Sequence, residues 1–180
     1  MTRIGSKKEV DDLVEMLERV DGIVVHDPSA KILLSGGGVS DLYINIKKAL
    51  GNAIIRRDLA KIMVRHLAPD ITFIAAAGYG GLPLGVEISS LAGLPLSMIR
   101  DREKGHGLGG LVDGFAPKGD DVGIIVDDVL TTGGSLLRSR RALGGADVSS
   151  CMVVMDRGHP VLDFDVSYIL RVEDIKQNSE

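Results

Sequence analysis

Residues 122–135, VGIIVDDVLTTGGS, constrain this chain more than any other stretch. Val122, Ile124, Ile125 and Val126 form a short apolar run, as in a strand buried on both faces. Asp127 and Asp128 end that run, and Thr131, Thr132, Gly133, Gly134 and Ser135 follow. A helical pattern then begins, with Leu136, Leu137 and Leu143 apolar and Gly144-Gly145 as its stop. A strand, a Gly/Thr/Ser turn and a helix start make an anion site, because free N–H groups point at an incoming phosphate. Two carboxylates beside a phosphate would repel it, so they are expected to face hydroxyls instead. A ribose diol satisfies them, since each carboxylate accepts two short hydrogen bonds. The ligand inferred from these residues is a ribose 5-phosphate group. A solvated acidic turn is the plainer reading of an isolated DD or GG, but it does not account for the ordered string. The turn is no Walker loop, since GxxxxGK[ST] occurs nowhere in the chain.

Bulk properties set the frame. The 180 residues, 44% of them hydrophobic, suit a single domain with a real core. A net charge of −4 and a pI near 5.6 argue against nucleic acid as the main partner. No apolar run approaches the roughly 18 residues of a membrane span, and MTRIGSKKEVDD has no apolar signal region. Cys151 stands alone within CMVVM and reads as a small buried hydrophobe, which suits a reducing cytoplasm.

Taken in order, Ser6 and Glu9 form a capping box. Val10, Leu13, Val14 and Leu17 then predict a helix to about Val20, ahead of any strand of the main sheet. Short strands are expected at residues 23–25, 31–34 and 42–46, the last preceded by the glycine run of residues 36–38. Asn52 caps a helix reaching about Leu67. Residues 71–76 are a buried strand that feeds Gly78-Tyr79-Gly80-Gly81, with Pro83 expected in the first helical turn. This turn has two readings, a second phosphate cradle or plain strand-to-helix punctuation. Residues 94–99 form a further strand, and residues 100–110 are a charged, glycine-rich exposed loop. Residues 148–155 form the last long strand, ending at Asp156-Arg157, and an irregular tail follows with a strand at 167–170. Four strands thus end in chemistry-bearing segments, at Ala77, Arg100, Asp127 and Arg157. Ligands of parallel α/β sheets bind outside the carboxyl ends of strands.

VDDVLTTGGS resembles the phosphoribosyl-pyrophosphate (PRPP) motif of type I phosphoribosyltransferases. Three further segments narrow the resemblance to orotate phosphoribosyltransferases: SGGGVSDLYINIKKA, Arg100 with Lys104-Gly105-His106-Gly107, and the strand-terminal Asp156-Arg157. It implies a central parallel sheet flanked by helices, with a small hood over the site. A single domain over residues 1–180 is expected, with a core at about 51–157 and hood elements from about 1–50 and 158–180. Lys104, His106 and Asp128 are implied to be catalytic. PRPP would be held by Arg100, Lys104, His106, Asp127, Asp128, Thr131, Thr132, Gly133, Gly134 and Ser135. Orotate would be held by Thr131, Arg157 and Tyr43, with Arg157 on its carboxylate and the Tyr43 ring over the base.

The cofactor implied is Mg²⁺, held mainly by PRPP and not by a protein metal site. The partners implied are the two small substrates and a second copy of the chain, in a homodimer that shares the catalytic loop. Neither nucleic acid nor membrane is expected. The family usually has basic residues where this chain has Gly38, Val39 and Asp101, and some members have lysine at Gly80. Two alternatives remain open: a purine or uracil phosphoribosyltransferase, and a non-catalytic sensor of PRPP or a nucleotide. A Rossmann module is disfavoured by the missing GxGxxG.

Overall fold

A computed structural model of the chain describes residues 1–26, 32–33, 39–40, 42–102, 110–158 and 160–177. The chain opens with a short strand, β1 (Thr2–Arg3), and a helix, α1 (Lys7–Arg19). The capping box at its start is complete. The Ser6 hydroxyl accepts from the Glu9 N–H, and the Glu9 carboxylate accepts from the Ser6 N–H at 2.8 Å. The Ser6 N–H and the Ser6 hydroxyl, both donating to the Glu9 carboxylate, hold it below the ordinary carboxylate range. The expectation that no strand of the main sheet precedes this helix needs correction, because β1 joins that sheet at its edge. Two residues of strand leave too little pattern to detect.

Strands β2 (Val24–His26), β3 (Ile32–Leu33), β4 (Val39–Ser40) and β5 (Leu42–Ile44) form two small antiparallel ribbons, β2 with β5 and β3 with β4. The strand expected to reach Ile46 stops at Ile44. Asn45 turns its side chain to accept from the Lys48 N–H at 3.0 Å and starts α2 (Ile46–Gly51). Asn52 likewise caps α3 (Ala53–Val64), accepting from Ile54 and Ile55.

The alternating unit follows: β6 (Phe73–Ala77), α4 (Gly78–Ala92), β7 (Leu96–Ile99), β8 (Val112–Gly114), β9 (Val122–Leu130), α5 (Gly134–Ala142), β10 (Asp147–Asp156), β11 (Asp165–Arg171) and α6 (Val172–Gln177). The main sheet is seven-stranded in the order β1-β11-β10-β9-β6-β7-β8. Every pairing in it is parallel except β7 with β8. β1 and β11, which lie in the stretches assigned to the hood, both belong to this sheet.

Three local expectations change. The glycines of residues 78–81 are the first turn of α4 itself, which places Pro83 in the second turn. β9 does not end at its carboxylates but runs on to Leu130, carried by pairing with β10 as far as Asp156↔Leu130. The tail is irregular only as far as Phe164 among the described residues; its strand is longer than expected, as β11, and continues directly into α6.

Side chains alternate across the sheet and divide the core. Ile124 and Val126 face one side, packed with α1, α3, α4 and α6 through Leu13, Leu59, Leu84 and Ile175. Ile125 and Val153 face the other, packed with α5 through Leu136 and with Phe73 and Phe164. Cys151 is buried on this second side, and burial pushes its thiol up to about 12, so it behaves as an inert hydrophobe.

Candidate active site

The carboxyl ends of β6, β7, β9 and β10 lie side by side, since these strands are neighbours and parallel. β9 supplies the carboxylates. Asp127 turns toward α5, where one oxygen accepts from the Ser135 hydroxyl at 3.0 Å. Its other oxygen accepts from the Asp128 backbone N–H at 2.9 Å. Burial raises the Asp127 carboxyl to about 7, and the neighbouring Asp128 charge adds to the rise. The Asp128 side chain lies close to that of Asp127, against the first turn of α4. A Cβ at Gly80 would collide with its carboxylate, so glycine is required while Asp128 sits there.

The turn after β9 is set by Gly133, whose φ of +77° is the left-handed conformation favoured by glycine. α5 starts directly after it with no side-chain cap, which leaves the first N–H groups of the helix available to a ligand. Thr131, Thr132, Gly133, Gly134 and Ser135 therefore surround one helix start beside two carboxylates. This geometry can hold a phosphate and a diol at adjacent points.

Arg157 follows β10, its backbone N–H donating to Leu130 at 2.8 Å. Its guanidinium reaches across to residues 42–44, where Nη2 donates to the Ile44 carbonyl at 2.9 Å. Burial lowers the Arg157 pKa, while Tyr43 and Asp128 lie near enough to oppose that shift. Among the described residues it has no ion-pair partner. Tyr43, Asp128 and Arg157 thus meet at one place.

Arg100 has a different partner. It pairs with Asp113 on β8, and its backbone N–H donates to Leu111 at 2.8 Å across the base of the hairpin. Lys104, His106 and Gly38 lie outside the described residues, while Val39 begins β4. Sequence reasoning missed Gly80 as the seat of Asp128, Asp113 as the partner of Arg100 and the Ile44 carbonyl as the rest for Arg157. Neither Asp113 nor the Ile44 carbonyl carried a local pattern. Only the glycine turn at residues 78–81 gave a signal.

Residues 43–178 match the phosphoribosyl transferase domain family. Over 154 residues the chain is 34% identical to orotate phosphoribosyltransferase of Methanothermobacter thermautotrophicus, covering 84% of this chain and 82% of that one. The chain belongs to the orotate phosphoribosyltransferase family. A second relative of that name, from Methanospirillum hungatei, is 32% identical over 171 residues, covering 91% of this chain and 95% of the other. The crystal structure of orotate phosphoribosyltransferase from Aeropyrum pernix superposes with a TM-score of 0.77 at 26% identity, covering 93% and 97% of the two chains. The fold is that of type I phosphoribosyltransferases, and the chain is an enzyme of that glycosyltransferase class. The match to the phosphoribosyl transferase domain takes in Tyr43, Asp127, Asp128, residues 131–135 and Arg157.

Proposed function

We propose that the chain transfers the ribose 5-phosphate group of PRPP to orotate, giving orotidine 5′-monophosphate and pyrophosphate in pyrimidine nucleotide synthesis. The observation that carries this reading is Arg157: a half-buried guanidinium beside Tyr43 and Asp128, resting on a carbonyl and without an ion pair among the described residues. A ligand carboxylate is the natural partner for such a group. A purine or uracil would leave it unmatched.

In this reading the 5′-phosphate binds at the start of α5, and Asp127 and Asp128 accept from the ribose hydroxyls. Arg157 holds the orotate carboxylate, with Thr131 beside the base and the Tyr43 ring over it. The base nitrogen bonds to ribose C1 as the bond from C1 to the pyrophosphate oxygen breaks. The electron pair of that bond leaves with pyrophosphate, which also takes up the proton that the nitrogen carried. Stabilising that departing charge is the main catalytic task. Lys104, His106 and Arg100 are assigned to it, with the loop closing to exclude water.

The donor set suits Mg²⁺ held largely by substrate. No group of three or more His, Cys, Asp or Glu among the described residues forms a metal site, whereas the two adjacent carboxylates can supplement phosphate oxygens. When bound, Mg²⁺ would neutralise charge on the pyrophosphate.

A homodimer is supported by an uncovered apolar face on α4. Tyr79 is 92% exposed there and Val86 55%, with Leu82, Pro83 and Met98 lining the same groove. A cytoplasmic location fits the buried free thiol of Cys151. No helix among the described residues is long and apolar enough to cross a membrane.

The test follows orotate absorbance with PRPP and Mg²⁺, beside a Lys104→Ala variant. Orotate is expected to be consumed, uracil and adenine are not, and the variant is expected to lose most of the activity. PRPP binding without consumption of any base would replace this reading with that of a sensor.

A further inference from the structure

A second cavity lies beside the expected PRPP cleft. It has a volume of about 250 Å³ and is walled by the ends of β6 and β7 and by the outer turns of α5. It touches the phosphate turn only at Ser135, and Asp127, Asp128, Thr131 and Gly133 take no part in it. Its charged lining is Arg100, Arg138 and Arg141 against a single carboxylate, Asp101. Arg100 is already paired with Asp113. Among the described residues Arg138 and Arg141 have no ion-pair partner.

Arg138 and Arg141 lie three residues apart on one helix, which places them on the same face. Both are exposed, and like charges at that spacing repel, so an anion held between them relieves that repulsion. The neighbouring Arg140, by contrast, is neutralised by Asp163 at 2.8 Å. The volume lies below the roughly 300–1,000 Å³ typical of ligand pockets, so a nucleotide is too large and a small anion fits. Guanidinium groups favour oxyanions that accept bidentate hydrogen bonds.

We propose that this cavity is a second anion site, taking a phosphoryl oxyanion no larger than pyrophosphate. The occupant sits between α5 and the base of the β7–β8 hairpin. It competes with Asp113 for Arg100 and so couples anion occupancy to the root of the charged loop. Free phosphate and the pyrophosphate released by the transfer reaction share the chemistry it recognises.

The experiment is calorimetric titration of inorganic phosphate into the full chain at about 0.1 M chloride ionic strength, where distant surface charges are largely screened. Saturating ribose 5-phosphate is added first to fill the turn at residues 131–135. One further phosphate per chain is expected to bind, with affinity falling at least tenfold in Arg141→Glu and less in Arg141→Ala, while ribose 5-phosphate affinity stays unchanged. A parallel titration with pyrophosphate identifies the physiological source as whichever anion binds this site more tightly. Absence of the further phosphate, or equal affinity in both Arg141 variants and the parent chain, overturns the proposal. Failure of ribose 5-phosphate to bind would count against the proposed transferase reading alone, since the comparison across Arg141 variants decides the cavity without it.

Discussion

At the scale of single residues, two positions control the carboxylates. Burial pushes the Asp127 carboxyl up to about 7 in the folded chain, whereas it ionises near its ordinary value of 3.8 when unfolded. Between those values the folded state holds a proton that the unfolded state has lost. This group's contribution to stability is therefore full below about pH 3.8 and falls as pH rises through 7. Asp127→Asn removes the dependence. The ligand-free variant is expected to melt above the parent at pH 7.5, with the gain shrinking to nothing near pH 4, as followed by thermal unfolding across pH. Gly80 controls the other carboxylate. Gly80→Ala drives the Asp128 side chain off its seat on α4, and KM for PRPP is expected to rise on the order of tenfold, a loss of about 1.4 kcal/mol. The melting temperature should hardly move, because the side chain can rotate clear. Steady-state kinetics beside a melting curve separates the two effects.

At the scale of elements, the start of α1 is held twice. Ser6 and Glu9 close the capping box, and Glu9 also pairs with Arg65 beyond the end of α3. Ser6→Ala should cost about 1 kcal/mol, read as a fall of roughly 2–4 °C in melting temperature for a chain of this size. Elements such as this were legible because caps and apolar spacing are local. The Asn52 cap of α3, the buried strands and the helix after the phosphate turn were legible for the same reason. What was not legible depended on distant partners. The sequence places Asp127 and Asp128 at the end of an apolar run, yet β9 continues because β10 pairs with it to Leu130. Asn45 reads as part of a strand until its side chain is seen capping α2. The site divides along the same line. The phosphate turn and its carboxylates are contiguous and could be read directly, whereas the Arg157–Ile44 contact joins residues 113 positions apart.

At the scale of the whole molecule, one face of the sheet is layered by α1, α3, α4 and α6, and α4 leaves Tyr79, Val86 and Met98 uncovered. If a second copy covers them, Val86→Glu should convert the dimer to a monomer. It would do so by setting a charge in an apolar contact. Light scattering on the eluting chain gives the mass, and an unchanged dimer would move the interface elsewhere. Because the loop is proposed to serve the neighbouring site, the monomer should also lose activity while retaining its melting transition.

The hairpin at the far edge of the sheet has a use for protein engineering. Ile99 pairs with Val112, and the Arg100 N–H meets the Leu111 carbonyl, so both ends of the intervening segment are pinned at adjacent points. Such a frame behaves as a socket. Loops of other lengths can be spliced between residues 100 and 111 without disturbing the strands, since each doubling of length adds only about 0.6 kcal/mol of closure entropy. A library grafted there that keeps Lys104 and His106 in place is expected to vary turnover while the sheet beneath it stays fixed.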